Sequence, residues 1–118
     1  MLDLKVRTRE FSLAVIRLYV RLPRTTEAQI MGRQMLRSAT SVGAQFRESQ
    51  RAKSDADFTN KIEGALQEAE ETLYWFELLV GASVVNSEEI ENMTRDLNEI
   101  MAVFVSMVRK VKDKSEKR

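Results

Sequence analysis

Between Phe58 and Leu79 the apolar residues Phe58, Ile62, Ala65, Ala69, Phe76 and Leu79 fall largely three or four positions apart. That spacing lines them on one face of an α-helix and on neither face of a strand, so the segment must be a helix with one buried side. Ser54 and Asp57 form a capping signature before it, and Asp55 and Asp57 set negative charge against the positive end of the helix dipole. Running to about Val80, such a helix is roughly 40 Å long. Just upstream, Ser38-Ala39-Thr40-Ser41-Val42-Gly43-Ala44 carries almost no side-chain bulk. A second helix can therefore approach this backbone closely, and that approach must offset a glycine that costs about 1 kcal/mol against alanine in a helix interior.

The remaining segments supply the partners. From about Arg7 to Arg21, Phe11, Ala14, Val15, Leu18 and Leu22 fall on one side, opposite Arg9, Glu10, Arg17 and Arg21, and Pro23 ends this first helix. Thr26 with Gln29 reads as a capping box opening a second helix that runs to about Arg51. Asn86 or Ser87 caps a fourth, in which Ile90, Met93, Leu97, Ile100, Phe104, Met107 and Val111 repeat without a break to about Lys112. The polar tail 113–118 is expected to fray. No strand pattern or internal repeat appears. The fold class is thus all-α: a single domain, 1–118, of four helices (about 7–21, 27–51, 55–80 and 88–112) in an antiparallel up-down bundle. Leu66, Leu73, Tyr74, Trp75 and Leu78 on helix three, and Met101, Val103, Val105 and Val108 on helix four, lie off the main stripes. This excess of apolar surface predicts a homo-oligomer.

Composition narrows the function. A chain of 118 residues with 43% hydrophobic and 31% charged side chains is a folded, helix-rich domain rather than a disordered one. It has no cysteine and no histidine, hence no disulfide, no thiolate metal site, and neither the usual general base nor the commonest metal ligand. We expect a protein that is not an enzyme and needs no cofactor or metal. No apolar run approaches the ~20 residues of a membrane span, and the charged start Met1–Arg7 does not read as a signal peptide, so the expected location is cytoplasmic. The net charge of +1 conceals segregation: residues 1–54 hold eleven Lys/Arg against four Asp/Glu, residues 55–101 two against twelve, and residues 102–118 six against two. Such separation suits helices or subunits that pair by charge, or a basic surface for a polyanion.

The candidate sites follow from that distribution. Arg33 and Arg37 lie one turn apart, as do Arg47 and Arg51, with Lys53 just beyond. Clustered guanidinium groups hold phosphates bidentately, which makes these five residues the candidate RNA- or DNA-binding surface. Pairing with the acidic third helix is the competing use of the same charges. No aromatic side chain interleaves them, so base stacking is not signalled. Glu63, Glu70 and Glu77 recur every seven residues, two turns apart and too far for one cation. Tyr74, Trp75 and Phe76 cannot share a helix face, and Tyr74 and Trp75 are assigned to a subunit interface.

The pattern Ser38-Ala39, Ser41-Val42-Gly43-Ala44, Glu48, Lys53-Ser54, Ala56-Asp57-Phe58, Asn60-Lys61, Ala65-Leu66, Glu68-Ala69, Glu71-Thr72, Tyr74-Trp75 resembles the central signature of the bacterial four-helix-bundle proteins encoded within intervening sequences of 23S ribosomal RNA genes. The resemblance spans about Arg37 to Leu79. It implies an all-helical protomer in a ring-like homopentamer. It also implies kinship with the accessory variability proteins of diversity-generating retroelements, whose similar basic pentamer engages nucleic acid and a reverse transcriptase. Glu48, Lys61, Glu68 and Glu71 belong to the signature and are expected in a polar network between helices or subunits. The chain departs from the pattern at Gln45, Phe46 and Arg47, where asparagine, a smaller aliphatic and a small residue are usual, and at Asp55 and Glu70, where basic residues are common. The alternative function is a protein-interaction scaffold whose charge segregation serves assembly, or an accessory subunit of a reverse transcriptase.

Overall fold

The structure, a computed structural model, describes residues 3–116; Met1, Leu2, Lys117 and Arg118, which belong to the charged start and the polar tail read above, lie outside the described residues. Four helices follow one another: α1 (Leu4–Val20), α2 (Thr26–Ser49), α3 (Asp55–Gly81) and α4 (Ser87–Glu116), and no strand occurs among the described residues. Each connection spans five residues, short enough that successive helices run antiparallel. The bundle measures 54 × 22 × 22 Å.

Local chemistry sets the ends. Asp3 caps α1 by accepting hydrogen bonds from the Lys5 and Val6 amides, so the helix starts three residues before the expected Arg7 and buries Leu4. Thr25, not Thr26, caps α2 by accepting from the Ala28 amide. Gln29, expected in a capping box, instead donates to the Pro23 carbonyl and meets the Tyr19 hydroxyl. Ser54 accepts from the Asp57 amide as expected, and Asp57 reaches back to the Lys53 amide. Asn86 and Glu89 exchange hydrogen bonds in a complete capping box for α4.

Gly81 is the last residue of α3, but the left-handed position that ends the helix is taken by Ser83, two residues on, at φ 60°. Its amide bonds to the Val80 carbonyl and that of Val84 to the Leu79 carbonyl, the paired bonds of a Schellman termination. Helix α4 runs on to Glu116 rather than stopping near Lys112. Lys112 donates to Glu63 on α3, and lysines in the last turns suit the negative end of the helix dipole.

The core takes its side chains from all four helices, and two aromatic pairs cross it on opposite diagonals. Phe11 of α1 meets Phe76 of α3 edge-on at 6.5 Å, and Phe46 of α2 stacks on Phe104 of α4 at 5.8 Å. The small-residue run does what its lack of bulk requires. At Gly43 an added Cβ would sit 3.2 Å from the Thr8 side chain, so α1 crosses α2 where a side chain is missing. On the α3 side of the same run, Ser38 and Thr72, both fully buried, join hydroxyls at 2.7 Å. Each hydroxyl also meets a carbonyl of its own helix, Met35 for Ser38 and Glu68 for Thr72, so the pair favours one register of α2 on α3 by the single bond that a slip would lose. Much of the apolar excess read from the sequence is absorbed inside the protomer: Val108 is buried, and Leu66, Leu73, Met101 and Val103 pack against the core. Tyr74 and Val105 stay exposed, as do Ile16, Val20 and Ile30 near the α1–α2 connection.

Candidate nucleic-acid interface

The five cations proposed from the sequence do not share one environment. Arg37 leans across to α3, where its guanidinium donates to Glu68 at 3.2 Å and to Glu71. Glu71 also accepts from the Trp75 indole N–H at 3.0 Å. That indole bond first, and Arg37 second, hold the Glu71 carboxyl below the usual range, and Glu71 in turn raises Arg37. Arg37 is thus committed to a neighbouring helix and leaves the candidate surface. Arg33 is exposed on α2, four residues away toward the α1–α2 connection.

Arg47 and Arg51 do come together, and Lys5 joins them. With Phe46 and Gln50 they line a hollow of about 320 Å³ where the first turn of α1 meets the end of α2. None of the three cations forms an ion pair or side-chain hydrogen bond among the described residues. Glu48, the acid beside Arg47 in the chain, is turned to the opposite side, where Lys61 of α3 donates to it at 3.1 Å. Lys53 sits beyond, exposed at the α2–α3 connection, lining a separate shallow hollow with Ser49, Phe58 and Val111. The sequence reading missed Lys5, because its account of helix one began at Arg7. The signal was Asp3, a capping residue whose register brings Lys5 into the first turn.

The signature residues expected in a single polar network divide into two. Glu48 and Lys61 form one pair, and Arg37, Glu68, Glu71 and Trp75 form another, both between α2 and α3 of one protomer. Arg7 of α1 adds a third link, to Asp96 and Glu99 of α4 at 3.3 and 2.8 Å, and Lys112 to Glu63 a fourth. Glu63, Glu68 and Glu71 of α3 and Asp96 and Glu99 of α4 are thus met within the protomer. No group of three or more metal-ligating side chains gathers among the described residues, and Glu63, Glu70 and Glu77 remain strung along α3. Of the aromatic triplet, Phe76 is buried, Trp75 is half-buried with its indole bonded to Glu71, and Tyr74 is 52% exposed with its ring 5.3 Å from that of Trp75.

The three departures from the family pattern on α2 each have a place. Gln45 lies over Gly64 of α3, where an added Cβ would strike its amide. Phe46 supplies the stack on Phe104, and Arg47 lines the hollow. No helix among the described residues is long and apolar enough to cross a membrane.

Comparison with known proteins agrees with this architecture. The family model described as 23S rRNA-intervening sequence protein matches residues 2–106. A crystal structure of a protein of unknown function from the S23 ribosomal protein family of Bacteroides thetaiotaomicron is 39% identical in sequence, with a TM-score of 0.84. The match covers 90% of this chain and 98% of that one. Among curated proteins no match is found.

Proposed function

The chain belongs to the family of 23S rRNA-intervening sequence proteins, and on that premise we propose that it is a non-enzymatic, homo-oligomeric bundle that binds RNA or DNA electrostatically. The observation that carries the reading is the cluster of Lys5, Arg47 and Arg51 around one hollow with no carboxylate partner. Cations left unpaired while nearby arginines are matched to acids are available to phosphates, and each phosphate neutralised releases counterions. Lys53 stands at the same end and extends the basic surface; Arg37 is taken by α3, and Arg33, fourteen residues before Arg47 and so roughly 21 Å along α2, lies toward the opposite end and does not belong to it. In an oligomer, preferably the pentameric ring that the family resemblance implies, the patch is repeated several-fold and weak contacts gain avidity. Exposed Ile16, Val20 and Ile30 lie toward the other end of α1 and α2, while Val6 is exposed in the first turn of α1 beside Lys5; self-association through the first three leaves the cationic end open. The cytoplasm is the expected setting.

The test is light scattering on the purified protein, alone and with mixed-sequence RNA or duplex DNA, at low and at physiological salt. We expect an oligomer that takes up nucleic-acid mass at low salt and loses it as salt rises. Reversing Arg47 and Arg51 to Glu should abolish uptake with the oligomer intact, and the milder Arg47→Gln, Arg51→Gln variant should lower the slope of log affinity against log salt by roughly 1.5, two phosphates at about 0.7–0.9 each. Undiminished uptake by the charge-reversed variant would sink the reading. A second reading, a protein-interaction scaffold, is favoured by the exposed apolar residues Ile16, Val20, Ile30 and Tyr74. An oligomer that ignores both polymers would select it.

A further inference from the structure

Arg47 lines two neighbouring hollows. The second, of about 340 Å³, lies along the seam between α1 and α2 and is lined also by Arg9, Ser12, Thr40 and Gly43. From Thr40 in α2 to Arg51, two residues past the end of that helix, the two hollows together span eleven steps of chain, a run of about 16 Å at the helical rise. Lys5 and Arg9 stand on the α1 side, Arg47 and Arg51 on the α2 side. Arg9 contacts Glu10 at 3.1 Å, but both side chains are more than half exposed, and such a pair is worth so little that a phosphate readily replaces it. The depth arises at Gly43, where the missing side chain lets Thr8 and α1 sink toward α2.

Resting on the nucleic-acid reading above, we infer that this seam is a groove for single-stranded nucleic acid, held by its sugar–phosphate backbone with its bases facing outward. The dimensions favour a single strand. Helix axes in contact lie roughly 8–10 Å apart, so the trough between them is narrower than the ~12 Å major groove of a duplex alone. A duplex therefore touches only the rim, whereas a strand lies along the floor. At 3.4 Å or more between successive phosphates, about 16 Å accommodates at most about five, and four cations line the run. Its aromatic residue, Phe46, is 6% exposed and stacked on Phe104. It offers no face to a base, so recognition is of the backbone and independent of sequence. The Ser12 hydroxyl on the α1 wall is placed to donate to a phosphate oxygen, whereas that of Thr40 on the opposite wall already donates to the Leu36 carbonyl.

The experiment is fluorescence anisotropy with labelled mixed-sequence single strands and the matching duplex, between about 50 and 200 mM salt. We expect the single strand to bind about tenfold or more tightly than the duplex, with a log–log salt slope of about −3, four contacts at roughly 0.7 each. Ala44→Leu fills the trough from its exposed wall without removing charge or offering a ring for a base to stack on; it is expected to weaken single-strand binding about tenfold and to leave duplex binding unchanged. Ser12→Glu, from the opposite wall, places a negative charge in the same trough and is expected to do the same. Equal affinity for the two polymers overturns the groove. So does normal single-strand binding by both trough variants while the Arg47→Glu, Arg51→Glu variant loses it, and in either case the broader nucleic-acid reading stands. If that charge-reversed variant binds as wild type does, or if the wild type binds neither polymer at low salt, both inferences fall.

Discussion

Single residues here hold positions for reasons that can be measured one at a time. Ser83 pays the steric cost of the left-handed region, about 1–2 kcal/mol for an L-residue, which glycine avoids at some loss of chain entropy. Ser83→Gly should therefore raise stability by about 0.5–1 kcal/mol in urea titration. Thr72→Val removes one member of the buried hydroxyl pair and should cost about 1 kcal/mol, and a double-mutant cycle with Ser38→Ala should show that the two costs do not add. Glu71 carries a pH signature. Its folded pKa lies below the ordinary value of 4.5 through the Trp75 and Arg37 contacts, so its stabilisation is complete above that value and is lost as pH falls through the folded pKa. Arg37 stays protonated throughout and adds no pH dependence of its own. Glu71→Gln should lower the urea midpoint at pH 7 and flatten the decline of stability in acid. An unchanged acid limb would mean that the contact contributes nothing.

Among the elements, α4 divides into a held part and a loose one. Its buried positions end at Val108, Val111 is half-buried, and every described residue beyond it is exposed although the helix continues to Glu116. Amide exchange should therefore show strong protection up to about Val108 and progressively weaker protection through the last two turns. Uniform protection to Glu116 would contradict this. In the core, Phe76→Ala should cost about 3–5 kcal/mol, because Phe76 fills the diagonal against Phe11. These elements were legible in the sequence, since the three-and-four spacing of Ile62, Ala65, Ala69, Phe76 and Leu79 admits only a helix and Pro23 and the capping residues mark its neighbours. What could not be read was which of several candidate caps would act. Thr25 and Thr26 are chemically alike, and only the path of the chain after Pro23 selects the first. The candidate site was half legible for a similar reason. Arg37, Arg47 and Arg51 look equivalent along α2, but the helix turns Arg37 toward Glu68 and Glu71 and the other two toward α1, and Lys5 arrives from a helix start that depended on Asp3.

At the scale of the molecule, exposed Ile16, Val20 and Ile30 stand at the pole opposite the cationic hollow, and Val6 is the exposed apolar side chain beside Lys5. Four sets of ion pairs bind the basic and acidic halves of the sequence within one protomer, and all are exposed enough to be worth about 0–1 kcal/mol each. Raising salt should therefore leave the mass of the oligomer almost unchanged while releasing nucleic acid. Val20→Glu combined with Ile30→Glu should reduce that mass toward a single protomer in light scattering. An oligomer that dissociated in salt and ignored the paired glutamates would place assembly on charge instead. The up-down arrangement has a further practical result. Lys5 lines the groove, and the last turn of α4, at Ser115 and Glu116, lies against Asp55 and Ala56 beside the α2–α3 connection, so a segment joined before Asp3 or after Glu116 emerges at the cationic end. A polyhistidine tag or a fluorophore attached at either position sits within reach of the anion being titrated, whereas one inserted between Ala82 and Val85 stands at the opposite pole of a 54 Å rod and reports binding without competing for it.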